Sequence, residues 1–148
     1  MKGGSLDLGL LILRLGLGSV LFAHGAQKLL GWFGGSGIHG FIGWLGSMGV
    51  PAPLAWLAIL VEFFGGLGIL FGLLARLSAL AVAIEMAVAV WLLHWKIGFF
   101  MNWGSVAGRG EGWEYCWALL AASLALALAG PGRYAIADLE SWLGRGQP

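Results

Sequence analysis

Arg14, Glu62 and Glu85 each stand well inside a long apolar stretch, where an ionisable side chain is least expected. In a bilayer an isolated charge at mid-depth costs about 3 kcal/mol or more, so such groups turn toward protein and take partners. A guanidinium meeting two carboxylates can support a ligand, relay protons or hold helices in register, the last contributing on the order of 1 kcal/mol per polar contact. One cation between two acids leaves one carboxyl without a counter-charge and suited to carrying a proton.

A second group, His24, Lys28, His94, Trp95 and Glu114, with His39 close by in sequence terms, gathers toward the other end of the same stretches. A histidine or lysine donor can bind a quinone carbonyl or an anionic substrate while Trp and Phe stack on its ring. The same residues also suit a plainer task, Lys28 as a snorkelling cation and Trp91 and Trp95 as interface anchors. His24 and His94 could face each other across a b-type haem, but nothing nearby supplies partners for porphyrin propionates, which disfavours haem. With no HxxxH, HExxH or acidic cluster, no metal site is expected.

The elements that position these groups are membrane spans. The chain is 59% hydrophobic and 10% charged, too little polar surface to coat a soluble globule, and its formal charge of +1 offers no field for nucleic acid. Cys116 is the single cysteine, which excludes an internal disulfide, a CxxC couple and a cysteine-ligated iron–sulfur cluster. Leu6 to Leu30, Leu54 to Leu74, Leu77 to Leu93 and Trp113 to Ala129 have the apolarity expected of membrane helices, which need about 20 residues to cross a ~30 Å core. The fold class expected is therefore an all-α integral membrane protein, residues 1–148 forming a single four-helix bundle domain. The first stretch is read as a retained span because it runs on past Arg14, longer than the apolar region of a cleavable signal.

Ala75 and Arg76 are left as a tight hairpin between the second and third spans. Gly31 to Pro53 is too glycine-rich for a span, but Ile38, Phe41, Ile42, Leu45 and Met48 recur at helical spacing and predict a short interfacial or re-entrant helix. Gly130, Pro131 and Gly132 stop the fourth span, with Arg133 placed to meet carbonyls left open at its end. Ile136 to Leu143 reads as an amphipathic helix lying on the membrane.

Four spans put both long connectors on one side and both termini on the other. Lys2, Arg76, Arg133 and Arg145 on the terminus side slightly outnumber Arg109, Lys28 and Lys96, which favours cytoplasmic termini. Trp32, Trp44, Trp56, Trp91, Trp95, Trp103, Trp113 and Trp117 fall near the connector side, leaving Trp142 at the other. An ordinary aromatic belt would populate both interfaces, so the connector side has a further use for aromatic surface.

Helical spacing places Arg14, Gly18, Leu21, Gly25 and Lys28 on one stripe of the first span, with His24 on its border. Ala55, Ala58, Glu62 and Gly65 form the matching stripe of the second span, Ser78, Ala81, Glu85 and Ala89 that of the third, and Ala118, Ala121 and Ala125 that of the fourth. Small residues permit close helix approach, so these faces are expected to meet inside the bundle with the charges between them. Gly68 and Gly72 form a GxxxG pattern that would serve either a homodimer or packing within one chain.

Arg14 followed by HGAQKLLGWFGG (His24 to Gly35), VEFFGGLGILFGLLAR (Val61 to Arg76), HWKIGFF (His94 to Phe100), EGWEYCWALL (Glu111 to Leu120) and GPGRYAIADL (Gly130 to Leu139) together resemble the DoxX family of small four-helix membrane proteins. The resemblance covers nearly the whole chain and implies a multi-pass protein of a prokaryotic cytoplasmic (inner) membrane. It further implies a place in quinone-linked oxidation or in membrane redox and oxidative-stress complexes. The motif positions carried over are Arg14, His24, Lys28, Glu62, His94 and Glu114. Ile97 stands before GFF where a polar residue such as Asn is expected in relatives.

Three functions are thereby set against one another. One is an integral subunit of a quinone-linked redox complex, with the aromatic, histidine-rich end as the quinone or small-substrate pocket. The second is a non-catalytic accessory subunit stabilising a larger assembly of membrane or peripheral proteins. The third is a small-solute or proton carrier, against which stands the lack of inverted repeats and of a span broken at mid-depth.

Overall fold

The computed structural model describes residues 3–136. The expected amphipathic helix over Ile136 to Leu143, together with Lys2, Trp142 and Arg145, lies outside them except for Ile136. Among the described residues the fold is all helical, with no strand. Helix α1 spans Gly3–Leu29, α2 Gly37–Ser47, α3 Ala52–Phe71 and α4 Ala75–His94, and α5 Glu114–Ala129. Helices α1, α3 and α4 are long and apolar enough to cross a membrane; α5 is apolar but shorter, at 16 residues.

Each boundary has a local cause. Pro51 extends the chain and Pro53 follows inside the first turn of α3, where a missing N–H costs nothing. The turn from α3 into α4 is Gly72 to Leu74 and not Ala75 and Arg76 as the composition suggested. Gly72 (φ 77°) and Leu74 (φ 49°) are both left-handed, and Ala75 already belongs to α4. Gly130 (φ 85°) ends α5.

Two helices contain a wide turn. The α-helical hydrogen bonding of α3 gives way to a π-helical turn over Val61–Gly65, and that of α4 over Val90–His94. Such a turn fits one additional residue into the helix and re-aims the side chains around it, frequently beside a functional site. Glu62 sits in the first of them and His94 closes the second.

The stripe read on α1 is the surface that meets α3. Gly18 lies against the Leu70 backbone and Gly66, and Gly25 against the backbone of Glu62 and Phe63, so neither has space for a Cβ. Gly66 in turn meets the backbone of Leu21 and Phe22. This is small-residue packing of the kind membrane helices use in place of a hydrophobic driving force. Gly68 and Gly72 are likewise filled from within the chain, by Ser78 and Leu73 and by Arg14 and Ala135.

The stripe expected on the fourth span is not the buried one. Ala118, Ala121 and Ala125 are exposed, whereas Cys116, Ser123 and Leu126 face inward, and Cys116 and Leu126 join the core with Leu17, Leu21, Ile69, Val82 and Met86. A helix this uniformly apolar carries no periodic contrast to show which side is inside, and α5 turns Cys116, Ser123 and Leu126 inward while Trp117, Leu124 and Leu128 stay exposed. Helix α2 lays Phe41 and Leu45 against Ala55 and Ile59 of α3, forming a second, smaller core at the connector end. A cavity lined by members of both cores holds Lys28, Glu62 and Glu85.

Candidate functional site

Arg14 is 1% exposed, yet no carboxylate is bonded to it. Its Nε donates to the Ile69 carbonyl (2.9 Å), Nη2 to that of Leu70 (2.9 Å) and Nη1 to that of Pro131 (3.0 Å). Ile69 and Leu70 lie in the last turn of α3, where helix carbonyls run out of following N–H donors. The guanidinium supplies them, binding α1, α3 and the segment after α5 at one point. The expected convergence of Arg14, Glu62 and Glu85 is therefore corrected: Arg14 is a structural clasp at the terminus end. Arg76 does the same for α5, donating to the carbonyls of Ala127 and Leu128 (2.7 Å each) and Ala129 (3.2 Å). That is the role anticipated for Arg133, whose guanidinium stands instead by Tyr134.

The cation that meets Glu62 is Lys28, fourteen residues further along α1 and so about 21 Å from Arg14. Its Nζ donates to Glu62 Oε2, with the side chains 20% and 8% exposed. The ammonium also stands 4.9 Å from the centroid of the Phe41 ring, where the ring face attracts it. Three elements thus meet at one charge: α1 through Lys28, the wide turn of α3 through Glu62, and α2 through Phe41.

Glu85 of α4 lies within electrostatic reach of both Glu62 and Lys28, and its Oε2 is buried without any hydrogen-bond partner. A buried carboxyl oxygen left without a partner is costly, and native structures rarely tolerate one without a reason. Glu85 also lines open space. A cavity of about 610 Å³ is lined by Lys28, Glu62, Glu85, His24, Tyr115 and Cys116 among a majority of apolar side chains, including Leu21, Phe41, Trp44, Met86 and Leu119. The volume falls within the range of about 300–1,000 Å³ typical of small-molecule sites, and the composition, apolar walls with a few convergent polar groups, matches them as well.

Parts of the two groups distinguished in the sequence share one cavity. Lys28, His24 and His94 of the connector-end group line the same cavity as Glu62 and Glu85. His24 Nε2 lies 3.4 Å from the Tyr115 hydroxyl. His94 Nδ1 lies 2.8 Å from the Glu111 carbonyl, which can only accept, so that nitrogen carries the hydrogen.

Three residues of the second group stand elsewhere. Glu114 Oε1 accepts from the Met101 N–H (3.2 Å) and from Trp103 Nε1 (2.7 Å), so it secures the α4–α5 connector and does not line the cavity. Trp95 stacks on Trp113 with centroids 6.0 Å apart and also stays outside it. His39 is exposed on α2. The connector is further tied by Asn102, whose side chain bonds Val106 and the Arg109 carbonyl and whose N–H donates to Glu111 Oε2 (2.7 Å). Among the described residues no group of three or more His, Cys, Asp or Glu is placed to hold a metal ion.

Tyr115, Cys116 and Glu111 were missed as cavity residues. A signal existed for the first two, since Tyr115 and Cys116 follow Glu114 directly in the first turn of α5, where successive side chains cover most of the helix circumference.

Comparison with known proteins adds one finding. Neither a curated protein nor a solved structure matches the chain. The family description DoxX matches residues 9–95, which takes in α1 to α4 with Arg14, His24, Lys28, Glu62, Glu85 and His94. A match over more than half of the chain, on the helices that build the cavity, establishes that this membrane protein belongs to the DoxX family.

Proposed function

We propose that the chain is an integral subunit of a quinone-linked redox complex and that the cavity between α1, α3, α4 and α5 binds the quinone. The observation that carries this reading is the cavity itself: about 610 Å³, walled by apolar side chains, with an unpartnered Glu85 oxygen and the Lys28–Glu62 pair at its polar side. A quinone is a flat apolar ring with a carbonyl at each end, and the site offers apolar contact for the ring with donors placed to reach a carbonyl. Lys28, held by Glu62 and Phe41, is one donor; Tyr115, beside His24, is another. Trp44 and Phe41 supply aromatic surface for stacking. A bound quinone supplies two-electron carbonyl-to-hydroxyl chemistry; the protein binds and orients the ring, keeps bulk water out and holds two carboxyls beside it.

In this reading α5 is the fourth span, at about 24 Å of helix, and residues 1–148 form one domain in a prokaryotic cytoplasmic membrane with cytoplasmic termini. The slight excess of Lys and Arg at the terminus end supports that orientation.

Titrating the purified protein in lipid nanodiscs with a short-chain quinone tests the proposal, with tryptophan quenching as readout. Saturable quenching is expected, weakened about tenfold by Glu85→Leu and largely kept by Glu85→Gln, a loss of about 1.4 kcal/mol. Quenching that rises linearly with quinone and ignores both substitutions would reject it.

A specific observation favours a second reading. Trp91, Trp95 and Trp103 are 74%, 59% and 81% exposed at the connector end, more aromatic surface than one interface requires. An accessory subunit docking a partner there would lose that partner on substitution of Trp103 while tolerating Glu85→Leu.

A further inference from the structure

The cavity has a side that neither core closes. Close to the Gly72 turn, Val61–Phe71 of α3 packs on Ala75–Ala89 of α4. Toward the connector end the two helices part company: Ala52–Leu60 packs on α2 and α1, and α4 stays with α5. Leu93 leans on the smaller core and closes the upper end of the gap. Leu54 and Leu57 of α3 and Ile84, Val88 and Leu92 of α4 line the cavity and are each about half exposed. Wall residues this exposed, on two helices that diverge, mark its mouth. This mouth is apolar on both sides and opens between two membrane-spanning helices, so it faces acyl chains.

Resting on the quinone reading, we infer that the ligand is a long-chain amphiphile that enters sideways from the bilayer between α3 and α4. Its polar head passes in to Glu85, Lys28 and Glu62, and its apolar chain stays in the mouth against Leu57 and Val88. The occupant follows from the arrangement. A water-borne solute would have to cross lipid to reach this opening, whereas an apolar chain passes from lipid along Leu54, Leu57, Val88 and Leu92 without leaving apolar surroundings. A lipid-phase molecule with a compact polar head satisfies both ends at once.

Cys116, the single thiol, lines the cavity and reports on the route. In nanodiscs a lipid-dissolved N-alkyl maleimide is expected to alkylate Cys116 at least tenfold faster than a sulfonated, water-confined maleimide. Leu57→Trp with Val88→Trp, both at exposed positions, should narrow the mouth and slow the lipid-phase reaction about tenfold. The same pair should weaken binding of a quinone with a ten-carbon tail about tenfold while leaving a tail-less quinone within threefold. Equal labelling from water and lipid in the unsubstituted protein would overturn the lateral route, as would unchanged labelling in the double variant. If lipid-phase labelling behaves as expected but no quinone binds, the route stands and the quinone reading falls.

Discussion

Replacing Lys28 by Met removes the counter-charge of Glu62 and leaves that carboxylate, 8% exposed, against apolar walls. Breaking a buried pair by deleting one partner costs about 3–5 kcal/mol, because the other charge remains without compensation. Replacing both partners by apolar residues of similar size is commonly neutral or favourable. Lys28→Met is therefore expected to lower unfolding free energy by about 3–5 kcal/mol, and Lys28→Met with Glu62→Met to return to within about 1 kcal/mol of the parent. Glu62→Met alone should cost less than Lys28→Met, since Lys28 is 20% exposed, near the end of α1, and can extend its ammonium toward the interface. Equilibrium unfolding in mixed micelles, followed by tryptophan fluorescence, measures all four corners of the cycle. If the double variant lost as much as the sum of the single ones, Lys28 and Glu62 would not be coupled and the site as described would be wrong.

Arg14→Met should be the most destabilising change at the terminus end, by several kcal/mol at about 1–3 kcal/mol for each of three carbonyls deprived of a donor, in the same unfolding assay. Gly25→Ala should cost about 1–3 kcal/mol because its new methyl meets the Phe63 backbone, whereas Gly16→Ala, with open space around it, should be neutral or gain up to about 1 kcal/mol of helix propensity. Glu114→Ala releases Met101 and Trp103 and should raise protease susceptibility between His94 and Trp113 while leaving quinone affinity within twofold.

The three long apolar helices and their order were legible because length and apolarity are continuous properties that survive errors of a few residues at each end. The α1 stripe was legible for a related reason: Gly18 and Gly25 have a role only where another backbone comes close, and helical spacing alone puts Lys28 and Arg14 on that face. Partner choice was not legible from faces. Glu62 sits midway along α3, level with Gly25 of α1, while Arg14 meets Ile69 and Leu70 in the last turn of α3, a separation set by how α1 packs on α3. What spacing could not show was that the carbonyls of Ile69 and Leu70 would compete for Arg14, since that follows from where α3 ends. The wide turns at Val61–Gly65 and Val90–His94 leave no mark in an apolar run, and they help bring Glu62, His94 and Glu85 to one cavity. The inward face of α5 was unreadable because alanine and leucine alternate around its whole circumference. Trp95 and Glu114 stand outside the cavity because aromatic and acidic residues close to it also build the connector between α4 and α5.

The central claim is that a quinone occupies the cavity beside Glu85, and photolabelling addresses it directly. An azidoquinone irradiated with the protein in nanodiscs, followed by peptide mapping, is predicted to mark the stretches around Ile84–Met86 and Tyr115–Leu119, with labelling abolished by excess unmodified quinone. Label confined to outward-facing positions such as Trp103 or Leu128, or undiminished by competitor, would contradict the account.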